Sequence, residues 1–123
     1  MIMKTIKQVS EQLSMPVATI RYYDKLGLVP QLQRDKNGYR QFSEKDIYTL
    51  EMIQCFRATG MSVEDLINIF SLDINDPILS LNQRQKIISK QREKLLKQRK
   101  QIDDALALVD YKLKRYTEMH QQS

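Results

Sequence analysis

The chain has 123 residues, of which 41% are hydrophobic and 28% charged, and a net charge of +5 at neutral pH. That is enough for one compact domain plus an extension, with the composition of a folded protein rather than a disordered one. It excludes a membrane-spanning helix, since no apolar run approaches the roughly 20 residues a bilayer requires. The opening Met1-Ile2-Met3-Lys4 lacks the apolar centre of a signal peptide. Cys55 is the single cysteine, so no intrachain disulfide forms, which fits the cytoplasm. Cys55 and His120 fall short of the about four ligands of a structural zinc site, so neither metal nor cofactor is expected. With no paired acids and no glycine-rich phosphate loop, an enzyme is not expected.

The first predicted helix spans Ile6 to Leu13, opened by the capping-box pattern Thr5-x-x-Gln8 and carrying Ile6, Val9 and Leu13 on one face. Ser14-Met15-Pro16 breaks it. Pro16 suits the first turn of a second helix, which runs to about Leu26 and stops at Gly27. Two short helices around a brief break form a helix-turn-helix pattern. The second helix sets arginine beside tyrosine in Thr19-Ile20-Arg21-Tyr22-Tyr23-Asp24. Arginine grips phosphate through a planar fork of donors, and tyrosine adds a hydroxyl on a rigid ring. Val17, Ile20 and Tyr23 are spaced to pack inward, Ala18, Thr19 and Tyr22 to approach bases or sugars, and Arg21 and Lys25 to pin phosphates. The competing reading puts both tyrosines in the core and leaves Arg21 as a plain surface charge.

Pro30 blocks further helix, and Gln31–Phe42 reads as a β-hairpin turning at Asn37-Gly38. Its tip supplies Arg34, Lys36, Tyr39 and Arg40, suited to flanking phosphates or the minor groove; the alternative is an ordinary solvated hairpin. A third helix is predicted from Glu44 to Thr59, capped by Ser43-x-x-Asp46. A fourth runs from Val63 to about Phe70, with Ser62-x-x-Asp65 at its start.

The last predicted helix runs from Pro77 to about Met119, roughly 60 Å. Leu81, Ile88, Leu95, Ile102, Val109 and Tyr116 recur every seven residues, joined in the distal half by Leu106 and Leu113. In the proximal half the matching positions are Gln85, Arg92 and Arg99, a weaker seam. One helix cannot bury such a stripe, so a homodimer is expected, with Ile88, Leu95, Ile102, Leu106, Val109, Leu113 and Tyr116 as its contacts. Residues 77–123 carry eleven basic and five acidic groups, so much of the positive charge lies on this helix, where a solvated face accounts for it.

Taken together, Thr5-Ile6, the Thr19–Asp24 stretch, Gly27-Leu28-Val29-Pro30, Gly38-Tyr39-Arg40-Gln41-Phe42, Asp46-Ile47 and Gly60-Met61-Ser62 resemble the MerR family of bacterial transcription regulators over about Lys4 to Phe70. The resemblance implies a mainly α fold: a winged helix-turn-helix with a small β-hairpin wing, then a long helix that dimerises as an antiparallel coiled coil. It implies a homodimer on a palindromic operator in double-stranded DNA, bending and untwisting an overlong promoter spacer so that RNA polymerase engages both elements. By the same resemblance Arg21, Tyr22, Tyr39 and Arg40 fall on DNA-contacting positions. Three departures stand out: Ser14 where the family usually has Gly, Pro16 where it has Ser, and Ala18 where a basic residue is common.

The expected organisation is a DNA-binding domain over 1–71 with two helices beyond the wing, a linker over 72–77, a dimerisation helix over 78–119 and a tail over 120–123. The cysteines by which metal-sensing members work are absent from these 123 residues, and the large C-terminal domain of drug-sensing members is not expected. The surroundings of Cys55 are similar to a single-cysteine subgroup tied to aldehyde and thiol stress, which makes Cys55 a candidate sensor. Its chemistry alone allows a buried cysteine acting as a small hydrophobe, because Glu51 lies one turn away and disfavours a thiolate. The alternative to a DNA-binding regulator is a coiled-coil interaction module whose basic tail docks an acidic partner or membrane surface.

Overall fold

The structure is a computed structural model that describes residues 2–30, 32–70 and 77–122. Its elements in order are α1 (Ile6–Leu13), α2 (Val17–Lys25), β1 (Gln33–Arg34), β2 (Arg40–Gln41), α3 (Glu44–Ala58), α4 (Val63–Phe70) and α5 (Pro77–Gln122). This is a winged helix-turn-helix followed by two helices and one long helix. Of the predicted linker over 72–77, residues 72–76 lie outside the described residues and Pro77 opens α5. Contacts divide the chain into a unit of Met1–Ile87 and a unit of Ile88–Ser123.

In the first unit, local sequence sets the helix starts. The Thr5 hydroxyl accepts from Gln8 N–H and the Gln8 side chain accepts from Thr5 N–H, so α1 opens with both halves of a capping box. Ser43 and Asp46 do the same for α3, and the Ser62 hydroxyl accepts from Asp65 N–H at α4. Pro16 stands one place earlier than expected, as the N-cap of α2, and makes no side-chain capping bond.

Ser14 caps the C-terminus of α1 at φ 52° and ψ 43°, the left-handed region that glycine enters without a Cβ penalty. Ser14→Gly is therefore expected to stabilise the protein by about 1 kcal/mol, read as a shift in the urea midpoint at unchanged slope.

The core gathers one face from each helix: Val9, Ile20, Tyr23, Leu28, Phe42, Ile47, Leu50, Ile53, Met61 and Leu66 are all buried. Ile87, from the first turns of α5, packs against it. The wing pairs Gln33 with Gln41 and Arg34 with Arg40 in antiparallel register. Its tip is a turn from Asp35 to Gly38, closed by the Gly38 N–H donating to Asp35 O at 3.0 Å, with Gly38 at φ 84°. The Asp35 carboxylate accepts from the N–H groups of Asn37 and Tyr39, which fixes the loop from inside. The N-terminal segment joins the sheet too: Lys4 N–H donates to Phe42 O at 2.9 Å, and Phe42 N–H to Lys4 O at 2.8 Å. The wing root is thereby bonded to the residue that leads into α1.

In the second unit α5 runs as one helix, and most of its apolar seam is open to solvent. Ile102, Leu106, Val109, Leu113 and Tyr116 are exposed over about half their surface or more, Ile88 somewhat less, and Leu95 is half-buried. No described helix is long and apolar enough to cross a membrane.

Candidate nucleic-acid interface

α2 has two chemically distinct sides. Ile20 and Tyr23 are buried, anchoring the helix on the core. Turned the other way, Ala18, Arg21, Tyr22 and Lys25 are exposed and Thr19 is partly so. Tyr22 keeps 48% of its surface in solvent, which removes the reading that put both tyrosines in the core. The two rings are nonetheless neighbours, 5.9 Å between centroids, so buried Tyr23 supports the exposed one.

The wing brings a second exposed set. Tyr39 is 71% exposed at the tip, and Lys36 is exposed beside it. The two wing arginines are engaged within the protein. Arg40 Nε donates to Asp24 Oδ2 at 2.7 Å, with both side chains about four-fifths buried. Arg34 Nη1 donates to Gly38 O at 2.9 Å, and Nη2 lies 3.7 Å from the same Asp24 carboxylate. Asp24, at the end of α2, thus holds the base of the wing through Arg40 and steadies its turn through Arg34.

Between these elements lies an open groove of about 260 Å³, bordered by Lys4 and Thr5 at the start of α1, Arg21 of α2, and Tyr39 and Arg40 of the wing. Arg21, Lys4 and the wing tip therefore share one concave surface. Sequence reasoning singled out Arg21, Tyr39 and Arg40 but missed Lys4 and Thr5. They reach the groove through the bridge to Phe42, and one bridging pair leaves no periodicity to find.

Cys55 lies on α3 and is exposed, which corrects the reading of it as a core hydrophobe. Arg57, the nearest basic residue in sequence, donates through Nη1 to Met61 O at 3.0 Å and so is committed to the helix end. Among the described residues no group of three His, Cys, Asp or Glu side chains could hold a metal ion.

Comparison with known proteins agrees with this architecture. The family described as MerR HTH family regulatory protein matches residues 4–72. The HTH-type transcriptional regulator AdhR of Bacillus subtilis is 36% identical over 91 residues, covering 74% of this chain and 64% of that protein. An uncharacterised HTH-type regulator of Haemophilus influenzae is 32% identical over 114 residues, covering 91% of this chain and 82% of its own length. Among solved structures, the promoter-DNA complex of HiNmlR, a MerR family regulator lacking the sensor domain, superimposes with a TM-score of 0.79 at 30% identity, covering 95% of this chain and 92% of that one. A MerR family regulator from Listeria monocytogenes gives a TM-score of 0.79 at 31% identity, over 92% and 85% of the two chains.

Proposed function

This chain belongs to the MerR HTH family of regulatory proteins, and from that membership we propose that it binds a palindromic promoter operator as a homodimer and controls transcription by bending and untwisting the DNA. RNA polymerase is the partner that reads the deformed promoter. The observation that carries this reading is the junction of α2 and the wing. The helix presents Arg21, Tyr22 and Lys25 outward, and the wing tip presents Lys36 and Tyr39. A helix fits the major groove, and a wing reaches the flanking backbone, so the two elements contact DNA at successive positions.

Within this reading the contact residues form two groups. Thr19, Arg21, Tyr22 and Lys25 on the helix, with Lys36 and Tyr39 at the wing tip, meet DNA directly. Arg34 and Arg40, bonded to Gly38 and Asp24, hold the wing at its angle to the helix. The regulators similar to this chain are named for transcription, so the role assigned is binding rather than catalysis, exercised in the cytoplasm where the DNA lies. Footprinting on the protein's own promoter region tests it. Protection over a palindrome with hypersensitive bonds at its centre is expected, and no protection there would sink the proposal.

The input is assigned to Cys55. Its exposure makes the thiol available to an electrophile, and its surroundings on α3 resemble those of the single-cysteine subgroup tied to aldehyde and thiol stress. Modification by a reactive aldehyde would shift the bound dimer toward its activating geometry. Cys55→Ser is expected to keep operator affinity within about twofold, because the side chain is outside the core, and to lose induction by aldehyde in a reporter assay. Full induction of the serine variant would remove the sensor role and leave the DNA-binding role standing.

A further inference from the structure

The seam of α5 carries four charged residues whose positions specify how two copies meet. Arg92 and Arg99 occupy the first position of the heptad that Leu106 and Leu113 continue, while Asp103 and Asp110 each follow a seam residue, Ile102 and Val109. All four are exposed, and none makes an ion pair among the described residues. The other two acids of the distal half are already engaged on their own helix: Asp104 with Lys100 at 3.2 Å, and Glu118 with Arg115 at 3.7 Å. Two arginines on an apolar seam and two carboxylates at its edge are therefore left over.

Resting on the homodimer reading above and on the antiparallel pairing that the family resemblance implies, we infer that two copies of α5 meet in one register, with the dyad between Lys100 and Gln101, where Arg92 binds the partner's Asp110 and Arg99 binds the partner's Asp103. The charge pattern suits that direction. Residues 88–100 hold six basic groups and one acid, and residues 101–122 hold three basic groups and four acids. A parallel pair would lay the two basic halves side by side, whereas an antiparallel pair lays each against the acidic half of the other.

Register follows from the seam. With the dyad at 100/101, Leu95 meets the partner's Leu106 and Ile88 meets the partner's Leu113, closing apolar layers. Arg92 meets the partner's Val109 and Arg99 the partner's Ile102. In antiparallel pairing the first and fifth heptad positions of the two helices line the same edge, so each arginine lays its stem across the seam and reaches the adjacent aspartate. Sliding by one heptad either way leaves one arginine of each pair with no carboxylate in reach. Only this register uses all four charges.

The test uses the full-length chain in a Cys55→Ser background. Arg92→Asp or Asp110→Arg alone places like charges together at two symmetry-related sites, and each is expected to weaken the dimer by about tenfold in sedimentation equilibrium. The two together restore opposite charges and should return to within about threefold of the parent. Independently, Leu95→Cys with Leu106→Cys should give a covalent dimer on mild oxidation. Residues 95 and 106 are about 16 Å apart along one helix and cannot bond to each other within a chain. Leu95→Cys with Leu113→Cys, which reports a register one heptad away, should not. A dimer that links through 95 and 113, or whose double charge swap is not restored, overturns the register while leaving the homodimer intact. A parent protein that is monomeric at micromolar concentration overturns the homodimer reading and this proposal with it.

Discussion

Arg21→Ala is expected to cost roughly a hundredfold in operator affinity at about 0.1 M salt, with the fold and the dimer unchanged. Arg21 is exposed and lines the groove between α2 and the wing, so its removal takes no atoms from the core. Each phosphate neutralised by a basic side chain releases counterions and adds about 0.9 to the slope of log affinity against log salt. A homodimer places Arg21 on the DNA twice, so the slope should fall by roughly two. Anisotropy titrations of an operator duplex across a salt series measure both quantities at once. If affinity fell with the slope unchanged and discrimination between operator and random DNA was lost, Arg21 would read a base edge instead of a phosphate. A variant that bound normally would shift weight to an interaction module working through its basic long helix.

How far the sequence could be read depended on whether each feature was local. The bounds of α1 and α4 follow from caps and apolar spacing within a few residues, and the structure has the same ends, Ile6–Leu13 and Val63–Phe70. The division of α2 into a buried Ile20–Tyr23 side and an exposed Arg21–Tyr22–Lys25 side was legible for the same reason, a 3.6-residue period. The exposure of Cys55 was legible in principle. On that period it falls nearly opposite Leu50 and Ile53, which are fully buried.

What stayed hidden were pairings across distance. Composition marked Arg34 and Arg40 as basic and the hairpin as a wing. Nothing in spacing reveals that Asp24, sixteen positions before Arg40, accepts from it. The same holds for Lys4 and Phe42, whose backbone bonds join the chain's start to the wing root. Both contacts are tertiary, one between charged side chains that suit solvent equally well and the other through backbone groups that every such residue carries.

The Asp24 contact yields the second large effect. Arg40→Ala should weaken operator binding by more than tenfold, with a smaller fall in the salt slope than Arg21→Ala gives. The reason is charge balance. Arg40 is already neutralised by Asp24 at 2.7 Å, so it contributes little net charge for counterion release. Its removal leaves the Asp24 carboxylate, only 18% exposed, next to the groove, with Arg34 at 3.7 Å as its remaining partner. That carboxylate repels the DNA backbone, and the wing loses the bond that fixes its angle to α2. The double variant Asp24→Ala with Arg40→Ala removes the repulsion, and should therefore bind more tightly than Arg40→Ala alone although it lacks one more native side chain. A thermal melt provides the structural half of the cycle: Asp24→Ala leaves a largely buried guanidinium unpaired and should cost about 2 kcal/mol, with the double variant costing less than the sum of the singles. Additive losses in both binding and melting would mean that Asp24 and Arg40 act separately. A slope that drops by roughly two in Arg40→Ala would mean that Arg40 leaves Asp24 to grip phosphate when the DNA arrives.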